Sequence, residues 1–272
     1  MRGTSSTSLG EVLRLVDSAQ AVPTDSLESG AEQLFSVADA IDSSNQLVRL
    51  LSDSGRPAEV KQSAVTNLFA DKVSPQALEV THEVVRRRWS EQEDILDALE
   101  LAGVSVVLGQ AEREDVLGLV EDEMFQVSRM IDRNGDLHAA LDDARESPEQ
   151  RERIMRSVLE GRVHRLTLQL VTRAVTRRSD TKPARRISEL ARFASDRRRR
   201  SFASVSSAIE LSEPQQARLG AILTGIYGRE IHMNVQVDPE VVGGLRIQVG
   251  DDLYDATVLA RLARAKQQLV SS

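Results

Sequence analysis

A repeat at an offset of 90 residues constrains this chain more than any other feature of its sequence. The segment EQLFSVADAIDSSNQLVRLLSD (32–53) aligns without a gap on DEMFQVSRMIDRNGDLHAALDD (122–143). Phe35 and Phe125, Val37 and Val127, Ile41 and Ile131, Asp42 and Asp132, Leu47 and Leu137, Leu51 and Leu141, and Asp53 and Asp143 coincide. The register continues through Val73/Val163, Leu78/Leu168, Val85/Val175, Arg87/Arg177 and Arg88/Arg178. The shared positions are mostly apolar and helically spaced, and two unrelated amphipathic helices seldom keep one register across several turns and loops. The repeat is a duplication.

Each copy reads as helices. Leu34, Val37, Ala38 and Ile41 recur at i, i+3, i+4 and i+7, an apolar stripe along one helical face. SGRPAE (54–59) breaks the chain and places Pro57 in the first turn of the next helix, where a missing N–H costs little. Ser74 and Pro75 mark a further start, as N-cap and first helical residue. The second copy repeats the plan, with Ser147-Pro148 as a start and Gly161 as a stop. Helices are therefore expected to begin near 27 and 117, 57 and 148, and 74 and 163. Residues 91–112 are apolar on much of their circumference (Leu96, Leu99, Leu101, Val104, Val106, Val107, Leu108). The expectation is one helix shared by both bundles and bent near Gly103. The implied domains are an extra bundle at 1–90, the shared helix at 91–112 and a second bundle at 113–200.

From residue 201 the period changes. FASVSSAIEL (202–211) is strand-like, SEPQ (212–215) is a capping box, and a helix follows to about Tyr227. In REIHMNVQVD (229–238), Ile231, Met233, Val235 and Val237 alternate with Glu230, His232, Asn234 and Gln236, and Leu245, Ile247 and Val249 alternate likewise. DATVLARLARAKQQLV (255–270) reads as a closing amphipathic helix with Asp255 as N-cap. The glycine-rich stretch GGLRIQVGDDLYDA (243–256) invites a phosphate-binding reading. A phosphate loop follows a strand and opens a helix, so that helix N–H groups face the anion. Here the glycine pair feeds a strand, two acids (Asp251, Asp252) follow, and no GK[ST] is present. Turn chemistry is the reading. The expected fold class is mainly α: two tandem helical bundles followed by a small α+β C-terminal domain at 201–272.

Catalysis finds no support. The chain has no cysteine, which excludes disulfides, thiolate metal sites and cysteine nucleophiles. His82, His138, His164 and His232 are scattered without HxxxH or HExxH spacing. Asp142-Asp143 and Asp251-Asp252 fall in turns, and Trp89 reads as a core or interface anchor. No cofactor and no metal are implied. The apolar run LELAGVSVVLG (99–109) is about half the ~20 residues that span a bilayer. MRGTSSTSLGE lacks a signal peptide's apolar core, so a soluble, cytoplasmic protein is expected. Residues 162–200 carry 13 basic and 3 acidic side chains, ending in Arg197-Arg198-Arg199-Arg200. A nucleic-acid footprint is also rich in cations, but this run offers Phe193 alone for stacking. A solvated face near an acidic partner, or near the acidic first bundle, is preferred.

SEPQQARLGAILTGIYGREIHMNVQVDPEVVGGLRIQVGDDLYDATVLARLARAKQQL resembles the C-terminal signature of the delta subunit of F-type ATP synthases, the family of the oligomycin-sensitivity-conferring protein. The shared order is a helix after L[ST]xxQ, a strand, a glycine pair, a strand ending in GD, and a D-x-[ST]-V entry into a last helix. Ala256 departs from the family's usual glycine and alters that turn. Residues 95–200 fit the family's N-terminal six-helix bundle. Residues 1–90 then resemble the extra copy of a long actinobacterial form. The resemblance implies a non-catalytic peripheral-stalk subunit, which links the catalytic head to the b-subunit stalk and resists rotation. It implies residence at the cytoplasmic face of the membrane, with no span of its own and no direct nucleotide. It also implies that the first and fifth helices of a bundle (95–108 and 163–178, or 8–20 and 74–89) receive the N-terminus of an alpha subunit. The candidate docking residues are Leu96, Leu99, Val106, Leu168, Val171 and Val175. Toward the b subunit they are Val258, Leu259, Arg261 and Leu262 on the closing helix. The other reading is an arginine-rich helical adaptor for RNA or DNA, which salt-dependent binding would reveal.

Overall fold

The computed structural model describes residues 3–20, 27–143, 145–179, 181–200, 202–227, 231–238, 241, 243–250, 252–255 and 257. They form two compact units, 1–194 and 195–272. Throughout its described residues the first unit is helical. In order come α1 (Thr4–Gln20), α2 (Leu27–Asp42), α3 (Asn45–Ser52), α4 (Ala58–Phe69), α5 (Pro75–Arg86) and α6 (Asp94–Arg113). They are followed by α7 (Leu117–Arg133), α8 (Gly135–Asp142), α9 (Pro148–Leu159), α10 (Arg165–Thr176) and most of α11 (Pro183–Arg200). Helices α1 to α5 and α6 to α10 start at 4 and 94, 27 and 117, 45 and 135, 58 and 148, and 75 and 165. Every pair is 90 residues apart.

Capping chemistry places several of these starts. Ser44 and Asn134, at equivalent places, accept hydrogen bonds from the N–H groups of Leu47 (3.4 Å) and Leu137 (3.1 Å). Ser74 Oγ accepts from Ala77 N at 3.3 Å, and His164 takes that position in the second copy, its Nδ1 accepting from Leu166 N at 3.3 Å. At the start of α4 the structure corrects the sequence reading. Pro57 is the N-cap itself, extended at ψ 140° and without a side-chain cap bond. Its counterpart Ser147 does cap α9, accepting from Gln150 N at 3.2 Å. After α9, Gly161 takes φ +74°, the left-handed geometry that ends a helix cheaply only in glycine.

Helix α6 explains why the unit holds together. Each residue from Ala102 to Gly109 is buried, so the helix is covered on all sides. Fully burying a Leu, Ile or Val side chain contributes about 1.5–3 kcal/mol. Ile95, Leu99, Val104 and Leu108 all reach complete burial here. They belong to one continuous apolar core that runs from Val12 of α1 to Ala194 of α11. Gly103 lies within the continuous helix α6 and has a packing role. A Cβ at Gly103 would lie 2.4 Å from Cε1 of Phe35, so only glycine admits that ring from α2.

The second unit is a four-stranded sheet with a helix: β1 (Phe202–Ser207), α12 (Glu213–Tyr227), β2 (His232–Val237), β3 (Leu245–Val249) and β4 (Asp252–Asp255). The strand order is β2-β1-β3-β4. β1 pairs in parallel with β2 and antiparallel with β3, which pairs antiparallel with β4. The parallel pair needs a crossover, which α12 supplies. Ser212 donates its backbone N–H to Gln215 Oε1 at 2.9 Å, the return bond of the capping box. Val205 sits between Val235 and Ile247 in a core with Ala203, Leu211, Leu223, Ile231 and Val249. The first strand stops at Ser207, short of the expected 211, and Val237 breaks the inward alternation at 53% exposure. Gly243, Gly244 and Gly250 adopt φ of +69°, +88° and +57°. These glycines serve turns: Gly243 and Gly244 precede β3, and Gly250 follows it ahead of β4. The closing helix proposed for 255–270 falls almost wholly outside the described residues.

Candidate docking site and its ion-pair network

The six candidate residues on α6 and α10 fall into two groups. Leu99, Val106, Val171 and Val175 are interior, part of the continuous core. Leu96 and Leu168 are half-buried at its edge, where an incoming side chain can touch them. The interior four shape the helices' packing rather than their outer surface. Val258, Leu259, Arg261 and Leu262 lie outside the described residues. Near them in sequence, Asp255 Oδ1 accepts from Thr257 N at 3.0 Å.

The outer edge of the α6–α10 pair is polar, and its centre is Arg173. This guanidinium is only 10% exposed. It forks onto both carboxylate oxygens of Asp39 on α2 at 2.7 and 2.8 Å, and onto Glu100 of α6 at 2.8 to 3.1 Å. It also lies over the Phe35 ring, 4.7 Å from the centroid. Burial opposes the charge of Arg173, but the hydrogen bonds it donates to Asp39 and Glu100 outweigh it, and its pKa is raised. Arg177, one turn on, reaches Asp97 at 2.5 Å and approaches Glu100 at 3.8 Å. Gln169, one turn before, donates to Glu32 of α2 at 2.7 Å. Three helices, α2, α6 and α10, thus meet around one arginine.

Behind this junction, Arg186 of α11 donates to the backbone oxygen of Arg177 at 2.6 Å. Burial, followed by repulsion from Arg177, pushes its pKa down to about 10. Elsewhere Arg165 meets Glu114 at 2.5 Å, Lys182 meets Asp142 at 3.5 Å and Arg185 meets Glu189 at 2.9 Å, while Arg199 pairs with Asp196. Much of the arginine-rich run is therefore spent on acids within the chain. A nucleic-acid footprint needs cations free to meet phosphate, so that reading is not supported.

Sequence reasoning did not find Arg173. Its partners lie 73 and 134 residues away, beyond any helical period. Two signals were available: a glycine inside an otherwise apolar helix at 103, and a charge reversal between Glu83 and Arg173 at equivalent positions.

Among the described residues no helix is long and apolar enough to cross a membrane, and no three His, Cys, Asp or Glu side chains converge on a metal site. Comparison with known proteins supplies the family. The family described as ATP synthase delta (OSCP) subunit matches over residues 105–269, beginning inside α6. ATP synthase subunit delta of Thermobifida fusca is 37% identical, and that of Beutenbergia cavernae 38% identical, each over 99% of both chains. The Streptomyces coelicolor protein of the same name is 35% identical over 100% of this chain and 99% of its own. The chain belongs to the ATP synthase delta (OSCP) family, and it aligns end to end with actinobacterial members.

Proposed function

We propose that this member of the family is a peripheral-stalk subunit of the proton-translocating F-type ATP synthase, joining the alpha/beta catalytic head to the b-subunit stalk and resisting rotation. The observation that carries the reading is end-to-end alignment with proteins named ATP synthase subunit delta. The role is mechanical rather than catalytic. Torque from the central shaft drags the head, and a subunit that resists it must not yield internally. A single core from Val12 to Ala194 suits that load, because close-packed interiors have low compressibility and transmit strain.

The finer reading divides the first unit into two copies that share α6, one ahead of residue 91 and one behind residue 112. The first and fifth helices of a copy, α6 with α10 or α1 with α5, take the N-terminal helix of an alpha subunit as an added helix. Leu96 and Leu168 are the candidates that such a helix can reach at α6–α10. The closing segment, with Val258, Leu259, Leu262 and Arg261, meets the b subunit. The chain then works at the cytoplasmic face of the cell membrane, held there by its partners.

Co-purification from cells, with identification of the bound chains, tests the assembly: alpha, beta and b subunits are expected, and their absence overturns it. Removal of residues 258–272 tests the b attachment. The helical unit should keep its circular dichroism and the b subunit should be lost. Unchanged affinity for b places the attachment elsewhere.

A further inference from the structure

Helix α2 presents Glu32, Phe35 and Asp39 along one side, at i, i+3 and i+7. All three engage the walls of the groove between α6 and α10. Glu32 takes the amide of Gln169, Asp39 takes the fork of Arg173, and Phe35 lies between Arg173 above and Gly103 below. The same Arg173 holds Glu100 of α6, so one side chain ties α2 to both walls. On α6 the neighbouring Val104 and Leu108 are fully buried.

The equivalent groove, between α1 and α5, differs at each of these places. Val104 and Leu108 correspond to Arg14 and Ser18, which are exposed. Arg173 corresponds to Glu83, which pairs with Arg86 of its own helix and with Arg87 just beyond it. Gly103 corresponds to Leu13, so that place carries a side chain where α6 leaves room for a ring. The main neighbours of α1 are α5 and α6, whereas α6 has α2 along it as well.

We propose that α2 is the resident occupant of the α6–α10 groove and closes it to helices from other subunits, leaving at most one groove of this kind open. The proposal rests on the docking mode given under Proposed function and sharpens its stoichiometry. A helix arriving from outside must displace one tethered in the same chain, whose effective concentration is on the order of millimolar. Displacement also strips Arg173 of two partners, the Asp39 carboxylate and the Phe35 ring. Closure is built into the fold.

The test uses the full chain, whose lack of cysteine makes labelling clean. Glu32→Cys and Gln169→Cys, joined by a short bis-maleimide linker, lock α2 onto α10. A synthetic peptide of the alpha-subunit N-terminus is titrated by calorimetry into locked and unlocked chains. One peptide per chain, with affinity unchanged by the lock, is the expected result. Two peptides per unlocked chain, or binding lost on locking, overturns the proposal. Hydrogen exchange of α6 residues 100–108 is measured on both forms without peptide. Core-like protection that the lock does not raise supports residence, and protection that rises on locking overturns it. If neither form binds peptide, the docking mode itself fails, and the exchange result still decides whether α2 stays in the groove.

Discussion

Helices α5 and α10 start at Pro75 and Arg165, equivalent places in the repeat, yet one carries Glu83 where the other carries Arg173. Glu83 serves local partners, Arg86 three residues on and Arg87 four residues on. Arg173 reaches Asp39 and Glu100, across 134 and 73 residues of chain. Backbone plan and side-chain chemistry have therefore separated. The plan follows from caps and apolar spacing, which both copies share. The chemistry follows from what stands next to each side chain: Arg173 of α10 reaches Asp39 of α2 in the other copy, whereas Glu83 of α5 pairs with Arg86 and Arg87 close by in the chain.

The comparison breaks most sharply at Arg173. Arg173→Ala leaves Glu100 buried with its principal partner removed, and urea denaturation should show a loss of about 3–5 kcal/mol. Glu83→Ala should cost less, about 1 kcal/mol, because its pairs are local and its partners Arg86 and Arg87 reach solvent at 51% and 29% exposure. Equal losses would mean that the junction carries no special weight.

Leu51 and Leu141 are equivalent and both fully buried. Each Leu→Ala change should cost about 2–5 kcal/mol, with closely similar values for the two. A large difference would show that the core relaxes differently around the two equivalent leucines despite their shared register.

Gly103→Ala forces a methyl group against the Phe35 ring and should cost about 1–3 kcal/mol. Phe35→Leu in the same chain should recover part of that loss, which assigns the effect to the contact rather than to helix propensity.

At the helix starts, Ser147→Ala should cost about 1 kcal/mol, whereas its counterpart Pro57 has no cap bond to lose. Pro57→Ser should instead give a smaller gain in the thermal midpoint, by supplying the missing acceptor.

The smallest difference is electrostatic. Hydrogen bonds from the side chain and backbone of Arg145 hold the Asp143 carboxyl down at about 2. Its counterpart Asp53 receives the backbone N–H of Gly55 at 2.8 Å and pairs with Arg56 three residues on at 3.2 Å, with no side-chain fork like that of Arg145. A depressed folded value means that the contribution is present above the ordinary carboxylate range and fades as pH falls toward 2. Carbon-detected NMR titration should place Asp143 there, and Arg145→Ala should raise its midpoint toward about 3.9.

Much of the architecture is legible in the sequence because it depends on short spacings. The repeat, the apolar stripes, the capping role of Ser74 and Ser147, the stop at Gly161 and the turns at Gly243-Gly244 and Gly250 are all settled within a few residues. Residues 91–112 announce a helix buried on several sides through composition, and Ala102 to Gly109 are buried without a break. The C-terminal order of helix, strand, glycine pair and strand is readable for the same reason, and it carries the family.

What the tertiary structure decides is which faces meet. Periodicity names Leu99, Val106, Val171 and Val175 as apolar but cannot say that they point into the chain's own core rather than toward a partner. Gly103 reads as a possible bend until Phe35 is found against it. Arg173 reads as one cation in a basic run until Asp39 and Glu100 are found around it. Spacing along a helix fixes a side chain's direction to within a fraction of a turn, and that is local information. The identity of its neighbour depends on how helices more than seventy residues apart are stacked, and no local preference encodes that.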